Sequence, residues 1–535
     1  MRPSEETHVD ATTVLLRRII WVGAAIAAVA VVVFVIERAT THATAPGSIP
    51  SAAPTQAAQQ AVSPLEWAQY LHDSGRDGFT SDSTINAVNA FSLAHRPGWP
   101  VNLGGKAIST QPVVANGVVY SGSWDGNEYA LCAATCTTTS HGQSTTHASG
   151  SILWKTPLGT TTPADLASCG GTIGVVSTPA VATVTIAHDT QPSQVLYLGG
   201  GGNDSVGGGN GKLVALDAGT GAIRWQTVLG PAPATLIFSS PLVYTPAGST
   251  QPSVYVGVSS YADCPLVRGR VVQIDATTGA IQHQFYAVPE GCVGGGVWGS
   301  PAVDAKDGSL YFATGNGLPC VTSPAYNEAV VKVRASDLQV VSAWEVPASE
   351  SSADNDFGSV PTLFSGTATK GGAARSLVGI GSKNGIFYVF DRSNIAAGPV
   401  IALHIAIGGT CGECGAGIIA PAAYDGSTLY VAGGATPGGA GDKGVVDGFD
   451  PNALDTPLWV HGTSGILLGA VTAAPGIVAV GEGSNVLILN AHSGETVATL
   501  PPSTGMYYAP PSISHGVLYA GDTVGLLTAY SINGI

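Results

Sequence analysis

The residue types able to do chemistry are gathered in the middle of this 535-residue chain. Gly295-Gly-Val-Trp298-Gly-Ser-Pro-Ala-Val-Asp304 leads to Tyr311-Phe-Ala-Thr-Gly-Asn316, then Asp354-Asn-Asp356-Phe-Gly-Ser-Val-Pro361, then Gly381-Ser-Lys383-Asn-Gly-Ile-Phe-Tyr388. An indole offers a flat apolar face, carboxylates and side-chain amides give oxygen ligands to hard cations, and lysine is a compact positive charge. Taken singly, each has an ordinary structural use. Trp298 could pack between sheets, Asn316 and Asp356 could make turn hydrogen bonds, and Lys383 could sit on a solvated hairpin.

Other chemical signatures fail. Gly294-Gly-Gly296-Val-Trp-Gly299 matches a dinucleotide fingerprint but leads into Ser300-Pro301 and a strand instead of a helix. Neither a phosphate-binding Gly-Lys-Ser/Thr loop nor a Gly-x-Ser-x-Gly elbow is present, and Ser123-Trp124-Asp125 is a lone Trp-Asp pair without recurrence. The eight cysteines suit an oxidising compartment. Cys132 with Cys136, and Cys411 with Cys414, are close enough for local bridges, whereas the pairing of Cys169, Cys264, Cys292 and Cys320 is not readable from spacing. His141 and His147 follow Cys136 too closely for a zinc finger, and no Cys-x-x-Cys-His attaches a c-type haem.

The elements that must position these residues are strands. An apolar strand ending in a small residue recurs eight times, aligned at 120, 197, 255, 311, 379, 430, 479 and 519, so the units are 77, 58, 56, 68, 51, 49 and 40 residues apart. A Pro precedes most copies, as in Ser240-Pro241 and Ser300-Pro301, and the best copies close with Asp217-Ala-Gly-Thr-Gly221 or Asp275-Ala-Thr-Thr-Gly279. Each unit holds about four strands, and such a sheet cannot bury both faces alone. The expected fold is all-β, an eight-bladed β-propeller, with a β-helix second because its coils are much shorter. The 72 Gly and 34 Pro supply turns, and only 10% of residues are charged. With 35 acidic against 20 basic residues, the net charge is −15. No basic cluster offers a phosphate backbone a landing site, so no nucleic acid is expected as a partner.

The first 62 residues follow different physics. Residues 19–36 are uncharged and apolar between Arg17-Arg18 and Glu37-Arg38, long enough for a transmembrane helix rather than a cleaved signal peptide. The paired arginines favour a cytoplasmic tail at 1–18, with 37–62 as a flexible linker and the propeller at 63–535 outside the cytoplasm. This predicts a single-pass protein of the cell membrane. Ser63-Pro64-Leu65-Glu66 reads as a helix start with a capping box.

The segments from about Val254 to Asp391 make the chain resemble the pyrroloquinoline-quinone (PQQ) dependent alcohol dehydrogenases, most closely the polyvinyl alcohol dehydrogenase-like proteins. The resemblance implies an eight-bladed propeller with PQQ and Ca²⁺ in its central funnel. It casts Trp298 as the floor under the quinone, Lys383 as the cation beside its oxygens, Asn316 as a calcium ligand, and Asp356 as both ligand and the base that takes the alcohol proton. A further ligand, usually Glu, falls in Val256-Gly-Val-Ser-Ser-Tyr-Ala-Asp263-Cys264, where Asp263 is one methylene shorter; Asp204 is a weaker candidate. The adjacent-cysteine ring over the quinone in methanol dehydrogenases is missing, since the chain has no Cys-Cys pair. An alcohol substrate and a separate electron acceptor such as a cytochrome are the implied partners. The alternatives are a non-catalytic propeller like the lipoprotein scaffold of outer-membrane assembly, or a surface module binding a ligand across the funnel.

Overall fold

A computed structural model of the chain describes residues 63–140, 143–161, 171–200, 211–230, 235–263, 265–318, 320, 325–351, 356–436 and 441–535. The apolar run 19–36, the linker, His141, Cys169, Cys264 and Asp204 lie outside them. Among the described residues no helix is long and apolar enough to cross a membrane.

Eight antiparallel sheets of four or five strands form an eight-bladed propeller. Blades 1 to 7 span 113–157, 180–230, 242–286, 302–345, 362–404, 423–463 and 472–499; blade 8 joins 512–532 to Leu93–His95. Every strand singled out by the sequence repeat is the second strand of its blade. Its alternating side chains enter the apolar layers on both faces, which is why the repeat carries no polar face.

Neighbouring blades are tied by aromatics on glycine. In Asp217-Ala-Gly-Thr-Gly221, Asp217 Oδ1 accepts from the Thr220 amide at 2.9 Å and Gly221 takes φ +72°. Trp154 of the preceding blade lies on Gly221, where a Cβ would stand 2.6 Å from the ring, and its Nε1 donates to the Ala218 carbonyl at 3.0 Å. Trp225 repeats this on Gly279 and Trp459 on Gly494. Near the axis, side-chain hydroxyls bridge the blades: Thr178 Oγ1 accepts from the Gln111 amide, Ser240 Oγ from Thr178, and Ser300 Oγ from Ser240.

The capping-box helix expected at 63–66 does not form. Glu66 turns its carboxylate to the Asn116 amide at 2.6 Å instead of back to its own cap, because Trp67 pairs with Val114 of blade 1. Residues 65–82 form an irregular plug across one end of the ring, and it touches every blade. Ala68 accepts from Val181, Ser74 from Val303, Asp77 from Tyr424 and Gly78 from Ala473, while Asp82 Oδ2 accepts from Gly516. Leu71 packs with Val360 and Ala470. Arg76 is fully buried and donates to the carbonyls of Tyr70, Ser240, Pro241 and Pro301.

Among the described residues three disulfides join Cys132 to Cys136, Cys292 to Cys320 and Cys411 to Cys414. The first leaves no thiolate there for zinc.

Glu128 on the third strand of blade 1 is fully buried, and neither carboxyl oxygen has a hydrogen-bond partner. Burial pushes its pKa well above the usual glutamate range. The folded state therefore holds the proton while the unfolded chain releases it. The stability this provides is complete below the ordinary glutamate pKa and is lost as pH rises toward the folded value. Glu128→Gln should accordingly gain on wild type between pH 4.5 and pH 7.5 in denaturant midpoint. Parallel curves for the two proteins would refute this.

Candidate functional site

The segments carrying the expected site residues lie at the axial ends of strands in blades 3 to 5. Asp263 follows Ser253–Ser260 in a turn where it and Ala262 take φ +58° and +48°. Trp298 sits between blades 3 and 4 in a segment stitched on both sides: the Val297 amide donates to Val258, Gly295 to Asn316, and Gly315 to Gly296. These bonds explain the local glycine cluster as close backbone packing, with no helix following it.

Asn316 ends the turn after Ser309–Ala313. Asp356 lies on the connection into blade 5, beside Phe357, which packs near Tyr388. Lys383 is on the hairpin between Arg375–Gly381 and Ile386–Asp391, and its amide donates to the Asp356 carbonyl at 2.9 Å. That bond fixes the two backbones before their side chains meet.

The five residues converge. Lys383 Nζ lies 2.8 Å from Asp356 Oδ1, and their side chains are only 12% and 4% exposed. Asp356 Oδ2 accepts from Trp298 Nε1 at 3.1 Å and the Asn316 amide at 3.4 Å. The Lys383 ammonium is 5.1 Å from the centre of the Trp298 indole. Asn316 Nδ2 donates to Asp263 Oδ2 at 3.1 Å, extending the chain of contacts to blade 3. Three donors of different kinds thus hold one buried carboxylate. Gly358 is required beneath the indole, since a Cβ there would fall 2.0 Å from Trp298 Cη2.

This cluster lines a cavity of about 510 Å³ on the propeller axis. Trp298 is half-buried and faces that cavity, so the inter-sheet alternative does not apply; nor is Lys383 a solvated hairpin residue. A second cavity of about 230 Å³ lies between the first and the plug, reaching Tyr70. Trp124, Phe238, Trp298 and Tyr508 border both and form an aromatic partition across the channel.

Sequence reasoning missed Trp124, Phe238, Tyr261, Tyr508 and Glu413 in the upper cavity. A usable signal existed for two of them. Phe238, Trp298 and Tyr508 each stand three residues before the inner-strand prolines 241, 301 and 511, a position that points into the channel. Trp124 donates to Ser109 Oγ at 2.8 Å, and Glu413 is carried by the turn that the Cys411–Cys414 bridge closes. Burial raises the Tyr508 pKa, with the Glu413 charge adding to the effect.

Among the described residues no group of three or more His, Cys, Asp and Glu side chains is placed to hold a metal. The expected ligand set differs in kind, being two carboxylates that each accept a hydrogen bond from Asn316.

A family model, PQQ_2, described as outer membrane protein assembly factor BamB, matches residues 82–394. The chain belongs to the PQQ_2 family. Quinohemoprotein alcohol dehydrogenase ADH IIB of Pseudomonas putida is 29% identical to this PQQ_2 protein over 223 residues, 35% of the chain and 31% of the relative. Polyvinylalcohol dehydrogenase of Sphingopyxis sp. (strain 113P3) is 25% identical over 224 residues, 34% of the chain and 33% of the relative. The chain thus spans about a third of the length of these curated relatives. In solved structures, quinohemoprotein alcohol dehydrogenase from Comamonas testosteroni superposes with a TM-score of 0.65 at 19% identity, covering 88% of this chain and 81% of that one. A europium-containing methanol dehydrogenase gives 0.64 at 15% identity, covering 88% and 98%. These two likenesses concern the fold.

Proposed function

We propose that this PQQ_2 propeller is a quinoprotein alcohol dehydrogenase, anchored by residues 19–36 with its propeller outside the cytoplasm. The observation that carries the reading is the buried Asp356 carboxylate, held by Lys383, Trp298 and Asn316 at the wall of an axial cavity.

The residues fit the group. The half-buried Trp298 indole gives a flat face for a conjugated ring, and the Lys383 ammonium beside it suits quinone oxygens. Asp263, Asn316 and Asp356 provide two carboxylates and an amide, the donor chemistry of Ca²⁺. Turning the Asn316 amide about its last bond would put its oxygen where the nitrogen now faces Asp263. PQQ, when bound, supplies a carbonyl able to take hydride from an alcohol.

The chain's own residues then have distinct tasks. Asp356 accepts the hydroxyl proton on its carboxylate, and Lys383 keeps that carboxylate oriented. Trp124, Phe238, Tyr261 and Tyr508 wall the cavity and exclude water from the reacting atoms. Electrons then pass to an acceptor such as a cytochrome.

Reconstitution with PQQ and Ca²⁺ tests this directly. Alcohol-dependent reduction of an artificial dye should appear only with both present. Asp263→Asn should raise the calcium needed for half-maximal reconstitution by about tenfold or more, the scale of one charge-assisted contact. If neither quinone binding nor turnover appears with any alcohol, a non-catalytic scaffold replaces the enzyme.

A further inference from the structure

A second cleft lies away from the axis, on the outer side of blades 5 and 6. It has a volume of about 620 Å³. Its walls are largely apolar, with Ile401, Leu403 and Ile405 from blade 5 facing Val445, Phe449 and Val460 of blade 6. Asp447 is set into this surface. It stands on the third strand of blade 6, Gly444–Phe449, between Val445 and Phe449, which belong to the apolar layer shared with blade 5. Only 7% of the residue is exposed, and Oδ1 is buried without a hydrogen-bond partner.

The repeat shows how unusual this acid is. Asp447 pairs with Val431, one residue beyond the aligned position of the second strand. The same register position holds Tyr129, Val214, Val272, Val331, Tyr388, Leu487 and Thr528 in the other blades. No other blade puts a charge there. A carboxylate replacing an apolar side chain in a packed layer costs stability unless something pairs with it. Here the layer opens outward into a cleft instead of closing over it.

We propose that the cleft between blades 5 and 6 binds an aliphatic amine, with its ammonium on Asp447 and its hydrocarbon body along Leu403, Phe449 and Val460. The buried carboxylate supplies a charge-assisted partner for the head, and the apolar walls take the methylenes. A hydroxyl head would satisfy Asp447 less strongly, and an anionic head would be repelled. Burial alone pushes the Asp447 pKa up to about 7. The other titratable groups lining the cleft are His404 from blade 5 and Asp455 from the turn before Val460. Amine binding should therefore strengthen from pH 6 to pH 8 as Asp447 ionises.

Isothermal titration of the folded propeller with n-hexylamine, n-hexanol and hexanoate tests the proposal. Hexylamine should bind at pH 8 at least tenfold tighter than hexanol, and hexanoate should not bind. Asp447→Asn, and Asp447→Val with the residue of blades 2 to 4, should each lose at least tenfold for hexylamine. An Asp263→Asn, Glu413→Gln double variant in the axial cavity should leave binding unchanged. The proposal is overturned if hexylamine fails to bind, if hexanol matches it, or if only the axial double variant loses it.

Discussion

Asp356→Asn should lower kcat by about 10²- to 10⁴-fold in the reconstituted enzyme, the range associated with a positioned proton acceptor. The two side chains have nearly the same shape, so the backbone bond from Lys383 to residue 356 and the position of Phe357 should persist. What changes is the head group. An amide cannot accept the hydroxyl proton at ordinary pH, and one of its two ends must now present N–H groups toward either the Lys383 ammonium or the Trp298 Nε1. Quinone binding depends on the indole and the ammonium and should survive. Quenching of protein fluorescence on adding PQQ provides that separate readout. Retention of wild-type kcat in the Asn variant would remove Asp356 from the chemistry, whereas loss of quenching as well would mean the site had collapsed.

The largest structural effect is expected at Arg76. Its guanidinium is fully buried and donates to four carbonyls, three of them on the innermost segments of blades 3 and 4. Burial lowers its pKa only to about 10, with the Asp73 charge working against the shift, so it remains a cation at neutral pH. Arg76→Leu would strand those carbonyls in a dry interface at about 1–3 kcal/mol for each group left unsatisfied. Partial relaxation of the plug recovers some of this, leaving a net loss of about 3–5 kcal/mol, the range for breaking a buried polar network. Denaturant unfolding measures it. A loss below about 1 kcal/mol would show that the plug is held by its backbone pairing alone.

The fold was legible because its signal is repeated. The middle of the second strand of each blade is packed on both faces, so that stretch must be apolar, and eight copies of that constraint survive irregular spacing. Trp298, Asn316, Asp356 and Lys383 were legible as members of a familiar order, and the structure brings the other three to the Asp356 carboxylate. The plug was not legible. Its hydrogen bonds run to seven blades and Leu71 packs toward the eighth, and such long-range partners leave no periodic trace in residues 65–82. For the same reason the Ser-Pro-Leu-Glu signal favoured a local helix that Trp67 and Asn116 override. Trp124 was passed over because one Trp-Asp pair makes no family. Its role comes from its position at the axis, which a residue type alone does not report. Glu413 was hidden in a cysteine pair that drew attention only as a local bridge.

The closing blade sets an order for assembly. Its fourth strand, Leu93–His95, is made before blade 1, yet its partner Leu526–Ile532 is made only after the other seven blades. The plug is synthesised before any blade and likewise waits for residues of blade 8. A growing chain therefore carries two unpaired edges and a bare apolar seam until blade 8 emerges. Removing the strand Leu526–Ile532 would leave the wheel permanently unlatched, exposing those edges to association with other chains.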